Sequence, residues 1–156
     1  PDRMRAEGTV ASSMPLVYQG SLIDGFSLTF KDGRVVDLHA EQGEELLRSI
    51  VETDENSCRL GEIALVPFDS PIRNQGILFY NTLFDENASC HLALGQGFPD
   101  CYEGGVEMLA EDLMERGVNK SAAHVDFMIG TDDLEIDGIC ADGTVTPVFR
   151  NGNWAF

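Results

Sequence analysis

FSLTFKDGRVVDL, Phe26 to Leu38, sets the dipeptide Asp32-Gly33 between two alternating apolar runs. Asp-Gly in that setting is the strongest short hairpin signal a sequence carries, so the stretch predicts two antiparallel strands joined by a tight turn. The pattern returns near the end, where Asp142-Gly143 separates LEIDGI (Leu134 to Ile139) from TVTPVFR (Thr144 to Arg150). Hairpin signals outnumber strand-helix-strand crossovers along the chain, which argues against a doubly wound parallel sheet. The expected fold is α/β (α+β): a single domain with a mixed, largely antiparallel sheet and about three helices.

Working outward, MPLVYQG (Met14 to Gly20) is a short apolar segment ending in a turn. EQGEELLRSIVE (Glu41 to Glu52) puts Leu46, Leu47 and Ile50 at helical spacing, with acids in the first turn where the helix dipole favours them. EIALVPF (Glu62 to Phe68) is a buried-strand candidate ended by Pro67 and the turn-rich DSPIRNQG; ILFYNTLF (Ile77 to Phe84) follows. DENASCHLALG (Asp85 to Gly95) has an N-cap candidate, early acids and a terminal glycine, and reads as a helix carrying His91. GVEMLAEDLMERG (Gly105 to Gly117) reads as a third helix with Met108, Leu109, Leu113 and Met114 on a core-facing stripe. HVDFMIG (His124 to Gly130) reads as a strand.

A chain of 156 residues, 43% hydrophobic, suffices for one domain with its own core. No apolar run approaches the length of a membrane span, and no signal peptide is evident. Cys58, Cys90, Cys101 and Cys140 lack CxxC spacing, so neither a disulfide framework nor a zinc knuckle is expected. A cytoplasmic protein with reduced thiols fits. The formal net charge of -17 disfavours nucleic acid and anionic lipid and favours cations, metal ions and ammonium groups included. The chain opens at Pro1, without an initiator Met, in sequence that already resembles the middle of a domain, so a cut end is expected.

The chemistry concentrates in a few residues. His124 and Asp126 are two apart on a strand, so both side chains project from one face. His91 lies in an apolar run, where an imidazole needs a hydrogen-bond partner or a metal. Glu62 stands at the entrance of an apolar strand, where a carboxylate needs pairing. Glu62, His91, His124 and Asp126 form a mixed set suited to Zn²⁺, Mn²⁺ or Co²⁺. For each, a polar residue satisfied by ordinary hydrogen bonds is the competing reading, and spacing alone does not bring them together in space. His39, before an acidic helix, reads as exposed or capping and is not counted as a ligand. No GxSxG, Walker loop, dinucleotide fingerprint or HExxH occurs.

GEIALVPFDSPI, GILFYNTLFDENASCHLALG, HVDFMIG and FRNGNWAF together resemble the thermophilic metallo-aminopeptidases of the aminopeptidase T, aminopeptidase S and PepS type. The likeness runs from about Glu7 to Phe156, in order and with matching intervals. It implies a dinuclear centre of Zn²⁺, Co²⁺ or Mn²⁺ that removes N-terminal residues from peptides, in a homodimer. Glu62, His91, His124 and Asp126 match the family's ligands. Two departures stand out: Phe98 occupies the place of a family tyrosine, leaving the nearby Tyr102 as the candidate catalytic phenol only if the alignment is shifted, and a further glutamate ligand lies in a family segment just upstream of Pro1. The family's N-terminal domain is likewise expected to be missing, which makes the chain a C-terminal, site-bearing portion with little activity alone. Glu86 is the carboxylate at hand for a general base; a helix-start acid is its rival reading. The competing class is a non-catalytic acidic binding or dimerisation module that retains the fold.

Overall fold

The structure, a computed structural model, describes residues 1–156. It contains β1 (Gly8–Ala11), β2 (Leu16–Tyr18), β3 (Ser21–Lys31), β4 (Arg34–Gln42), α1 (Glu44–Val51), β5 (Leu60–Ala64), α2 (Thr82–Asp85), β6 (His91–Gly95), α3 (Ala110–Glu115), β7 (His124–Met128), β8 (Ile136–Ile139), β9 (Val145–Arg150) and β10 (Asn153–Trp154). The strands form three sheets: β1-β3-β2 with β4 on β3, β5-β6-β7, and β10-β9-β8. Every pairing is antiparallel.

The β3–β4 hairpin turns where expected, with φ of 50° at Asp32 and 75° at Gly33. Two successive positive φ values define the turn whose twist matches right-handed strands. Gln19-Gly20 and Asn151-Gly152 repeat it, building the β2–β3 and β9–β10 hairpins that the sequence reading did not single out. The hairpin around Asp142-Gly143 is wider: the Cys140 N–H donates to the Thr144 carbonyl, and only Gly143 has positive φ.

The core lies between the first two sheets. Phe26, Leu28 and Phe30 of β3 meet Leu60, Leu92, Leu94, Val125 and Phe127 from β5, β6 and β7, and α1 closes the edge with Leu47, Ile50 and Val51. The Phe26 and Phe127 rings stand 5.6 Å apart and tilted, a geometry worth about 0.5–1.5 kcal/mol beyond burial. The helix reading of Glu41 to Glu52 holds over Glu44–Val51, with Glu44 in the first turn. The Glu44 carboxylate accepts the Ala40 N–H and pairs with His39 Nδ1 at 2.9 Å, and both contacts lower its pKa. His39 itself is exposed and lies on the first sheet, away from the second.

Two helix readings are corrected. Asp85 to Gly95 is not one helix: α2, capped by the Asn81 side chain on the Leu83 N–H, ends at Asp85 and runs into one 3₁₀ turn, Glu86–Ala88. Ser89 is extended, and His91–Gly95 is the central strand of the second sheet, buried along its whole length. A central strand covered on both faces is apolar without alternation, so its five residues carry the same signal as a buried helical turn. The third helix is short, Ala110–Glu115 after a 3₁₀ turn at Gly105–Glu107, and only Leu113 of its expected stripe is buried. Leu109 is 69% exposed.

Candidate metal centre

Strand register places the site. Across the second sheet, Glu62 stands opposite Ala93, and Ala93 opposite Asp126. Glu62, Ala93 and Asp126 therefore form one row on the face turned away from the core, and the small Ala93 leaves open space between the two carboxylates. His91 is two residues before Ala93 and His124 two before Asp126, so both imidazoles rise from that same face.

A bulge makes this arrangement possible. Leu60 pairs with Leu94, yet Glu62 pairs with Ala93, so the register slips between them at Gly61. Regular alternation would put Leu60 and Glu62 on the same face; the extra residue sends Leu60 to the core and Glu62 to the site. Gly61 is required there because a Cβ would overlap the backbone carbonyls of Gly95 and Gln96. A glycine inside a strand pattern is the sequence signal for such a bulge, and it precedes Glu62 directly.

Each oxygen of Glu62 faces a different imidazole: Oε1 lies 3.4 Å from His91 Nε2 and Oε2 3.5 Å from His124 Nε2. His124 Nε2 is also 3.3 Å from Asp126 Oδ1. The far ring nitrogens are tied to the backbone, His91 Nδ1 to the Ser89 carbonyl at 3.0 Å and His124 Nδ1 to the Gln96 carbonyl at 2.8 Å. An Nδ1–H donating to a carbonyl holds the ring's orientation and leaves Nε2 for the cluster, the outer-shell arrangement typical of metal-bound histidine. Neither carbonyl was foreseen from sequence, because main-chain acceptors carry no residue signature.

Donor atoms of Glu62, His91 and Asp126 all lie within 4.8 Å of one another. That imidazole and the two carboxylates, half-buried to buried, suit a divalent first-row ion in type, and His124, outside this trio, lies against Glu62 and Asp126. The neighbouring carboxylates favour a proton on His124. Asp126 foremost raises its pKa to about 9, helped by the Gln96 carbonyl and Glu62 and opposed by burial. Glu86 belongs to this neighbourhood: burial, then the charges of Asp126 and Glu62, raise its pKa against the lowering effect of the histidines. A solvated helix-start acid would not feel these charges.

The Phe98 ring lies tilted beside His124, 5.0 Å between centroids. Next to it opens a cavity of about 350 Å³ lined by Glu62, Ile63, Phe98, Tyr102, Arg116 and Val118 among others. The Tyr102 hydroxyl accepts a hydrogen bond from Arg116 at 2.8 Å.

A two-histidine, two-carboxylate cluster on an antiparallel sheet has the donor chemistry of a metal site, and comparison with known proteins gives the family. The chain belongs to the thermophilic metalloprotease (M29) family, whose model matches residues 1–154. It is 57% identical over 156 residues to aminopeptidase AmpS of Bacillus subtilis, covering 100% of this chain and 38% of that protein. It is 47% identical over 154 residues to aminopeptidase T of Thermus thermophilus, covering 99% of this chain and 37% of that protein. The solved structure of wild-type AmpT from Thermus thermophilus superposes with a TM-score of 0.91 at 46% identity, across 100% of this chain and 38% of that one. The chain thus spans well under half the length of these relatives. The expected family and the α/β fold class hold, and a family of metalloproteases implies a divalent metal. No helix is long and apolar enough to cross a membrane.

Proposed function

We propose that this chain is the C-terminal, site-bearing portion of a metallo-aminopeptidase that releases N-terminal residues from peptides. The observation that carries the reading is the convergence of two backbone-oriented Nε2 atoms on the two oxygens of Glu62, with Asp126 beside them. Glu62, His91, His124 and Asp126 would hold two divalent ions, Zn²⁺, Co²⁺ or Mn²⁺. When bound, such ions polarise the scissile carbonyl and acidify the attacking water.

The rest is the work of the chain's own residues. Glu86 accepts the water's proton and returns it to the departing amine; its raised pKa suits a base that must also act as an acid. The excess of carboxylates draws in the substrate's N-terminal ammonium. Phe98 supplies an apolar wall beside His124 that keeps bulk water from the reacting atoms.

In this reading the chain alone binds metal weakly and turns over little, because a further carboxylate ligand and an N-terminal domain precede it in the intact enzyme, a cytoplasmic homodimer. The competing reading, a non-catalytic binding or dimerisation module, draws on Phe98, which offers no phenol where the family resemblance places one. The test is a Zn²⁺, Co²⁺ and Mn²⁺ titration of this chain beside a form extended upstream, with leucine-amide hydrolysis assayed on both. Two ions bound and turnover by the extended form alone is the expected result. Absence of binding by both forms overturns the metal-centre reading and leaves the module.

A further inference from the structure

Of the 27 acidic residues, Asp85 alone is fully buried, and it takes no part in the metal cluster. A carboxylate leaves water only where hydrogen bonds replace its hydration. Asp85 Oδ1 accepts the Phe79 N–H at 2.8 Å, and Oδ2 accepts the Asn81 N–H at 3.0 Å. Tyr80, between those two residues, has φ of 52°. A bulky side chain keeps that left-handed backbone only where its surroundings enforce it, and the two bonds that straddle Tyr80 do so. Asn81 returns the tie: its carbonyl accepts the Asp85 N–H at 2.9 Å, and its side chain caps α2 on the Leu83 N–H. Segment 79–81 and the end of α2 are thereby locked together, with the Phe79 and Phe84 rings 5.5 Å apart across the junction.

Glu86 is the next residue. Successive side chains leave a helical turn about 100° apart, so with Asp85 directed at segment 79–81, Glu86 leaves the turn on a different side. α2 and the 3₁₀ turn that begins at Glu86 both pack against β7, the strand of His124 and Asp126. There burial, and then the charge of Asp126, raise the Glu86 pKa. We propose that Asp85 is a positioning residue: by fixing the rotation of the turn that carries both acids, it aims Glu86 at the metal centre. This rests on the aminopeptidase reading, in which Glu86 is the general base. The residue type fits the task, because a carboxylate offers acceptors on both oxygens and no donor, whereas an amide would turn N–H groups toward one of the two backbone N–H groups. Precision is needed there, since a reacting group displaced by about 1 Å can lose about 10²-fold in rate.

The experiment measures leucine-amide hydrolysis and Zn²⁺ affinity for the intact enzyme carrying Asp85→Asn or Asp85→Ala, each alone and combined with Glu86→Gln. Asp85→Asn is expected to lower kcat about 10- to 100-fold, with KM and Zn²⁺ affinity little changed. In the Glu86→Gln background the same substitution should cost nothing further, because a residue that acts through Glu86 then has nothing left to aim. Losses that multiply, or a fall in Zn²⁺ affinity as large as the fall in kcat, overturn the proposal while hydrolysis by the wild type stands. Hydrogen exchange in the wild type tests the anchor without any variant having to fold. The Phe79 and Asn81 amides should be protected, and exchange of both at the rate of an unstructured chain overturns the proposal. Absence of turnover by the wild type removes the aminopeptidase reading, and the role of Asp85 with it.

Discussion

His124 and Asp126 share one face of β7, with His124 Nε2 3.3 Å from Asp126 Oδ1. In the metal-free chain this is an imidazolium paired with a carboxylate, since the pKa of His124 is raised to about 9, with Asp126 the first cause. A proton on His124 offsets part of the negative charge of Asp126 and Glu62.

That proton must leave before His124 can bind a metal, so ion affinity rises with pH up to about 9 and binding at pH 7 releases protons. Folding responds in the opposite sense. The folded pKa exceeds the ordinary 6.5, so the pair's contribution is fully present below 6.5 and fades as pH climbs through about 9. Calorimetric titration in buffers of different ionisation enthalpy, with an NMR titration of His124, checks both. A His124 that titrates near 6.5 without metal contradicts the expectation.

His91→Ala and Asp126→Asn should each lower Zn²⁺ affinity by more than about 100-fold, because even outer-shell partners of metal ligands are worth 10 to 100-fold. His39→Ala, on the exposed side of the first sheet, serves as the control and should leave affinity unchanged and stability within about 0.5 kcal/mol. Equilibrium dialysis gives the affinities and urea denaturation the stability.

Gly61→Ala should cost about 1–3 kcal/mol, since its Cβ would overlap main-chain carbonyls that have little freedom to withdraw. It should also weaken metal binding, because relieving the overlap disturbs the bulge that turns Glu62 toward the histidines. Loss of stability with full metal affinity would show that the bulge does not set the aim of Glu62.

Glu86→Gln should reduce kcat of the intact enzyme by about 10² to 10⁴-fold, the usual worth of a positioned acid-base group. Metal affinity should change far less, as Glu86 pairs with neither histidine of the cluster. Because the Glu86 pKa is raised, the acidic limb of the wild-type pH–rate profile should lie above the ordinary range for glutamate and vanish in the variant. Equal losses of affinity and rate would make Glu86 a ligand instead.

Much of the fold could be read locally. Asp32-Gly33 announced its hairpin because its conformational need is met by two adjacent residues, whereas Gln19-Gly20 makes the same turn behind a less telling side chain. The same limit explains His91, whose strand was read as helix: five buried residues show no period, and only packing on both faces decides between the two. Glu86 was singled out as a carboxylate for a general base, but its environment comes from β5 and β7, far away along the chain.

The sequence by itself determined the chemical inventory: two strand-face residues in His124 and Asp126, an unpaired Glu62, an isolated His91, and motifs sufficient for the family. Those are properties of residue type and short spacing, which covalent geometry transmits directly. Only the tertiary structure decided that Glu62 and His91 meet, because that depends on antiparallel register and on one extra residue at Gly61. Contacts between residues far apart in the chain follow from the balance of burial and hydrogen bonding over the whole molecule, which no single stretch encodes.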